Sequence, residues 1–259
     1  MSKVEQLMNL QDAMNAVAAG KAWMDGVTEE GRVINWPRAI NLELAELVES
    51  LNWKWWKSID AESDIANARI EAVDVMHFVL SYNMEIMNNT DCLVSGDSVK
   101  EASSIMEDAL AITNSVFNSK EKKVYDAESI AIAAEKLQRI AMTSKPTIIG
   151  DPDIGGPSRF LLLLNRTMFE LALTLGMDFD DIFELYVQKN VLNMFRQANG
   201  YKSGTYIKIW KIKGEEQEDN VWLVRAADEI KASTEDISYD LLYAKLTEKY
   251  TENDFIAGV

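Results

Sequence analysis

The apolar positions of this chain recur at helical spacing over most of its length. Between Ile40 and Leu51 they fall at Ile40, Leu44, Leu47, Val48 and Leu51, one face of a helix. From Ile70 onward they fall at Ile70, Val73, Val75, Met76, Phe78, Val79 and Leu80. At about 100° per residue that second set surrounds the helix, which places it at the centre of a fold. Around Tyr186 to Gln197 the residues Val187, Val191, Leu192, Met194 and Phe195 again cover one side. Between Arg38 and Lys145 there is no proline and a single glycine, Gly96, a distribution that helices accept and strand-and-turn architectures rarely do. The pattern predicts helices over residues 3–19, 37–52, 62–88, 98–118, 126–143, 158–175 and 179–198, with shorter ones near 222–232 and 238–249. Pro37 suits a first turn and Asp178 a cap. The fold class is all-α, a multi-helix bundle. Gly150 to Pro157 holds three glycines and two prolines and reads as a hinge-like loop.

Composition narrows the function classes. With 259 residues and 47% apolar content the chain has material for a real core. Lys and Arg number 26 against 42 Asp and Glu, a net charge of −16, and no basic patch dominates. Duplex nucleic acid is therefore not an expected partner, because binding it requires neutralising phosphates with cations. From Gly214 onward 12 acidic and 4 basic residues contribute half of the net charge, and the expected reading is a solvated face on short helices. Cys92 is the only cysteine, which excludes an internal disulfide or a thiolate zinc cluster and fits a reducing compartment. The N-terminus is too polar for a signal peptide, and the best uncharged apolar run, Phe160 to Leu164, falls far short of a membrane span. These features predict a soluble cytoplasmic protein without a membrane partner.

Candidate chemistry concentrates on two helices. Glu43, Glu46 and Glu49 step along the first at three-residue intervals. On its own such a ladder is ordinary solvated surface. Glu71 and Asp74, however, fall among the apolar positions of the central helix, where an ionised carboxylate is costly unless it is paired or bound to a cation. If the segment Asn52 to Ala61 joins the two helices as an antiparallel hairpin, the pair Glu43/Glu46 lies at the height of the pair Glu71/Asp74. Four carboxylates, with no cysteine and one histidine in the chain, would make an all-oxygen site suited to Mg²⁺ or Mn²⁺, and through it to phosphates. The competing reading is a buried ion-pair network with Arg38, Lys54 or Arg69.

Two further segments stand out. Lys189, Asn193 and Arg196 share one side of their helix, with Tyr186, Asn190 and Gln197 beside them. Such a stripe is either a solvated polar face or a grip for phosphate oxygens. Trp53, Trp55 and Trp56 alternate with Lys54 and precede Lys57, in a loop that stacks on a base and contacts phosphate or else anchors a partner subunit. His77, the only histidine, is either a core residue or a ligand contact.

Taken in order, these segments resemble a known family. Glu43-x-x-Glu46 followed by Glu71-x-x-Asp74 is similar to the metal motif of the all-α nucleoside triphosphate pyrophosphatases, the MazG-like superfamily. Leu10 to Asn15, Glu49 to Lys57, Asp74 to Phe78 and Lys189 to Lys202, continuing through Tyr206, Lys208, Trp210 and Gly214 to Asn220, resemble the dimeric dUTPases. The resemblance implies a homodimer that hydrolyses dUTP, and dUDP, in a Mg²⁺-dependent reaction, with dUTP giving dUMP and pyrophosphate. It implies two or three Mg²⁺ ions on Glu43, Glu46, Glu71 and Asp74, and Glu46 as the base that orients the attacking water. Lys189, Asn193, Arg196, Tyr201 and Lys202 would hold the phosphate chain, and Lys54 and Lys57 would assist in substrate binding. Gln11, Asn15, Trp56, His77 and Phe78 would form the base and sugar pocket, with Phe78 stacking. On this reading residues 1–220 form the catalytic unit, including a helical segment 85–158 without an alignable motif, and 221–259 an acidic helical extension. A pyrophosphatase preferring dCTP, and a helical nucleotide-binding protein without turnover, are the alternatives. A bacterial cytosol or a phage-infected cell is the setting such a family implies.

Overall fold

The computed structural model describes residues 1–57, 61–90, 96–117, 122–143, 156–233 and 238–255. Cys92 and most of the proposed hinge, residues 150–155, lie outside the described residues. The chain divides into two compact units, Met1–Tyr186 and Val187–Val259. No described helix is long and apolar enough to cross a membrane.

The helices α1 (Lys3–Ala18), α2 (Trp36–Glu49), α3 (Ile65–Asn88), α4 (Ser98–Val116), α5 (Ala127–Ala141), α6 (Pro157–Thr174) and α7 (Phe179–Ala198) follow the expected order closely. Their starts are set by side chains that satisfy the first free N–H groups: Ser2, Asn35, Asp64, Asp97 and Asp126 each accept from a backbone N–H two or three residues on. Asp178 accepts from the N–H of Asp181 at 3.0 Å, and Asp181 returns the contact to the N–H of Asp178 at 2.9 Å. Pro37 stands in the first turn of α2. In the first unit α3 packs against α1, α2, α4 and α6, and most of its residues beyond Ala68 are buried. The all-round apolar pattern thus corresponds to the central position it predicts.

One buried polar contact ties α3 to α6. Asn83 and Asn165, both 0% exposed, exchange amide hydrogen bonds of 2.9 and 2.8 Å. Asn83→Leu alone should cost about 1–3 kcal/mol, because the amide of Asn165 is left in apolar surroundings, and Asn83→Leu with Asn165→Leu should recover most of it. Urea unfolding of the single and double variants checks this; a single variant as stable as the parent contradicts it.

The second unit holds the rest of α7, a hairpin of β1 (Ile209–Ile212) and β2 (Glu215–Glu218), and the helices α8 (Asp219–Ser233) and α9 (Tyr239–Thr251). The hairpin departs from a purely helical chain. Its strands pair antiparallel from Ile209 with Glu218 to Ile212 with Glu215, and the turn Lys213-Gly214 has φ of 53° and 85°. Positive φ at both central residues matches the right-handed twist of the strands, and Gly214 adopts it without steric cost. The segment 221–259, expected as an extension, shares one core with what precedes it: Trp222, Leu223, Ala226, Leu242 and Leu246 join Val191, Leu192, Phe195, Trp210 and Ile212. Part of the acid excess is structural. Glu229 of α8 pairs with Lys249 at 2.6 Å and Lys245 at 3.2 Å on α9. Burial would raise its carboxyl, but the two ammonium groups hold it below its ordinary value.

Candidate active site

The end of α2 and the start of α3 are fastened together. Asp64 N–H donates to Ser50 O at 2.8 Å, and Asn67 Nδ2 donates to Ser50 Oγ at 2.8 Å. From that joint the helices run back along each other, so Glu43 and Glu46, before Ser50, meet Glu71, after Asn67. On α2 the stripe Ile40, Leu44 and Leu47 is buried, which turns Glu43 to a half-buried position and leaves Glu46 exposed. Glu71 is half-buried. The three glutamates each offer an oxygen, and these oxygens all lie within 4.8 Å of one another. Like charges at that separation repel, and a divalent cation is the counter-charge that suits oxygen donors. The donor set therefore fits Mg²⁺ or Mn²⁺.

Asp74 stands outside that group. Its side chain is 19% exposed, and its Oδ1 is 3.9 Å from His77 Nδ1. His77 Nδ1 lies 2.8 Å from the carbonyl of Val73, so Nδ1 carries a proton and donates to it. Of the cations that a buried ion-pair network would use, Lys54 pairs with Glu49, and Arg69 Nε donates to Leu175 O at 3.0 Å. The hydrogen bond from Lys54 holds the Glu49 carboxyl below its ordinary value.

Three of the residues expected around a base and sugar are buried in one polar network of the first unit. Tyr186 Oη donates to Gln11 Oε1 at 2.6 Å, Gln11 Nε2 to Asn15 Oδ1 at 2.9 Å, and Asn15 Nδ2 to Ser81 Oγ at 2.9 Å. Ser81 Oγ donates in turn to the carbonyl of His77 at 2.8 Å, and the rings of His77 and Tyr186 stack at 4.1 Å. Gln11, Asn15, His77, Ser81 and Tyr186 are all buried. Phe78, half-buried, faces Trp36 with ring centroids 6.0 Å apart. Trp56 is 55% exposed and meets Trp53 and Trp55 edge-on at 5.3 and 5.5 Å. Lys57 is exposed beside it.

In the second unit the polar stripe of α7 is not an open face. Lys189 and Arg196 are 7% and 9% exposed, and Asn190 is buried as well. Lys189 Nζ donates to Asn220 Oδ1 at 3.1 Å. Arg196 makes two hydrogen bonds of 2.7 Å to the carboxylate of Asp219 and one of 3.2 Å from Nη1 to Asn193 Oδ1. Burial alone would lower the Arg196 guanidinium, but Asp219 outweighs it and holds it above its ordinary value. Tyr201 and Lys202 are exposed, with the Tyr201 ring 6.0 Å from the Arg196 guanidinium. Ser81 and the buried role of Tyr186 were not expected from the sequence, and Asp219, though inside the stretch up to Asn220 that resembles the dimeric dUTPases, was given no role. Ser81 carried a signal, one turn beyond His77 on the same helix; the resemblance marked the segment of Asp219, but nothing in the sequence paired it with Arg196, because its charge is one among the twelve acids that follow Gly214.

No curated protein matches the chain. The model of a family described as dUTPase matches residues 3–148, which hold α1 to α5 and with them Glu43, Glu46, Glu71, Asp74 and the Gln11–Asn15–His77 network. That match spans more than half of the 259 residues and contains the carboxylate cluster, and the chain belongs to the dUTPase family, whose reaction is the hydrolysis of dUTP to dUMP.

Proposed function

We propose that this enzyme cleaves dUTP to dUMP and pyrophosphate, and also hydrolyses dUDP, in a Mg²⁺-dependent reaction, with Mn²⁺ as a substitute. The convergence of Glu43, Glu46 and Glu71 within 4.8 Å supports this reading most directly. Those three glutamates, with Asp74 one turn on from Glu71, are the residues that would hold two or three cations. Bound there, the cations would offset the charge of the phosphates and make a water more acidic. Glu46, the exposed member of the cluster, would be the base that orients the attacking water and accepts its proton. Gln11, Asn15, Trp56, His77 and Phe78 are assigned to the base and sugar, with the buried amide network fixing which way each donor and acceptor points. Lys189, Asn193, Arg196, Tyr201 and Lys202 are assigned to the phosphate chain, assisted by Lys54 and Lys57. The working form is a homodimer in the cytoplasm.

A panel of dUTP, dUDP, dCTP and dTTP, each with and without Mg²⁺, tests the proposal. Pyrophosphate release should be fastest from dUTP, vanish when the divalent cation is chelated and return when Mg²⁺ is restored. A larger kcat/KM for dCTP would transfer the same chemistry to that base. Nucleotide binding without release of pyrophosphate from any triphosphate, or of phosphate from dUDP, would sink the reading and favour a non-catalytic protein.

A further inference from the structure

The partner that α7 finds in the second unit has a consequence for phosphate binding. The hairpin β1–β2 closes on itself so that Tyr206 before it and Asp219 after it emerge side by side, and the N–H of Asp219 donates to Lys208 O at 2.9 Å. The carboxylate of Asp219 is fully buried. Its Oδ1 accepts from Arg196 Nη2 at 2.7 Å, and its Oδ2 accepts from Arg196 Nε at 2.7 Å and from Tyr206 Oη at 2.8 Å. A buried carboxylate is tolerated only with such full compensation, and a two-point fork fixes the plane of a guanidinium as well as its position. The next residue extends the hold: Asn220 Oδ1 accepts from Lys189 Nζ at 3.1 Å and lies 3.5 Å from Arg196 Nη2. Of the five N–H groups of Arg196, those on Nε and Nη2 are taken by residues 219 and 220, and one on Nη1 by Asn193.

We propose that Asp219 is a positioning residue for the phosphate-binding cations: with Tyr206 and Asn220 it holds Arg196 and Lys189 in one arrangement before nucleotide arrives, leaving the Nη1 edge of Arg196 as the edge offered to a phosphate oxygen. This rests on the assignment of Arg196 and Lys189 to the phosphate chain. A long cationic side chain that is already ordered loses little freedom on binding, so the gain appears as affinity for the phosphates and not for the base.

The test compares three variants of the full chain, Asp219→Asn, Tyr206→Phe and Arg196→Gln, binding a nonhydrolysable α,β-imido analogue of dUTP and, separately, deoxyuridine, which has no phosphate. Asp219→Asn should raise KM for dUTP and the Kd of the analogue by roughly tenfold, with kcat and deoxyuridine affinity changed less than about twofold. Tyr206→Phe, which removes one hydrogen bond and keeps the carboxylate, should weaken the analogue by roughly two- to fivefold. It decides the matter if Asp219→Asn does not fold, as judged by tryptophan fluorescence. Analogue affinity unchanged in the foldable variants, while Arg196→Gln loses it, overturns the positioning role alone. Equal weakening of deoxyuridine and analogue overturns it in favour of a purely structural ion pair. If Arg196→Gln itself leaves analogue affinity intact, the phosphate assignment fails and the positioning role fails with it.

Discussion

Glu46→Gln should lower kcat for dUTP hydrolysis by at least about a hundredfold, the range expected when a positioned base is removed. The expectation follows from where Glu46 sits. It is the exposed member of the cluster with Glu43 and Glu71, on the solvent side of a helix whose Ile40, Leu44 and Leu47 carry the packing. An exposed carboxylate replaced by its amide changes stability by only about half a kcal/mol, so thermal unfolding should stay close to that of the parent while turnover falls. Glu43 and Glu71 are half-buried ligands in the proposal, and their loss should raise the Mg²⁺ concentration needed for half-maximal rate as well as lower the rate itself. Glu46 is also a ligand in the proposal, so its loss should raise the Mg²⁺ requirement too, but kcat of Glu46→Gln should stay low at saturating Mg²⁺, where that of Glu43→Gln and Glu71→Gln should recover in part. Measuring kcat across a Mg²⁺ titration separates the two behaviours. Full activity of Glu46→Gln at saturating Mg²⁺ would remove it from the mechanism.

Phe195→Ala should destabilise the second unit by about 3–5 kcal/mol. Phe195 is 1% exposed and stands among four aromatic rings: Tyr250 at 5.3 Å, Tyr243 at 5.5 Å, Trp210 at 6.0 Å and Tyr206 at 6.4 Å. Three of those contacts are edge-on, the arrangement in which ring edges meet ring faces favourably. The neighbours come from the hairpin region and from α9, so truncating this one side chain opens the place where α7, β1 and α9 meet. Amide exchange over residues 191–250 reports the loss, as a drop in protection of roughly two to four powers of ten. A loss below about 1 kcal/mol would show that the ring cluster repacks around the gap.

Much of the first unit was legible in the sequence because helices write their burial into a short period. The all-round apolar run from Ile70 to Leu80 marked α3 as central, and the structure buries it among α1, α2, α4 and α6. The cluster of Glu43, Glu46 and Glu71 was legible for a related reason. Two helices joined by a short connection must run back along each other, and equal distances from the joint fix which residues face. Asp74 was expected in the same group and stands outside it, one turn along α3 and 3.9 Å from His77. Spacing determines height along a helix but not the rotamer that carries a carboxylate toward or away from a neighbour. The hairpin at Lys213-Gly214 left a signal, a Lys-Gly pair between short strands, but a tiny sheet is easily absorbed into a chain whose period is otherwise helical.

The stripe on α7 marks the limit. The sequence determined that Lys189, Asn193 and Arg196 share one side of a helix and that Val191, Leu192 and Phe195 face a core, because both follow from the helical repeat alone. It also determined the helical class and the carboxylate pairing of α2 with α3. Only the tertiary structure decided that Lys189 and Arg196 are buried, that Arg196 is locked by Asp219, itself held by Tyr206, and that Gln11, Asn15, Ser81 and Tyr186 form one chain of hydrogen bonds. Apart from Gln11 with Asn15, both on α1, those contacts join residues from different elements, such as Arg196 on α7 with Asp219 at the start of α8 and Gln11 on α1 with Tyr186 on α7. The repeat of a single helix says which way a polar side chain points, but the partner that makes its burial tolerable comes from another element, and only the packed fold brings the two together.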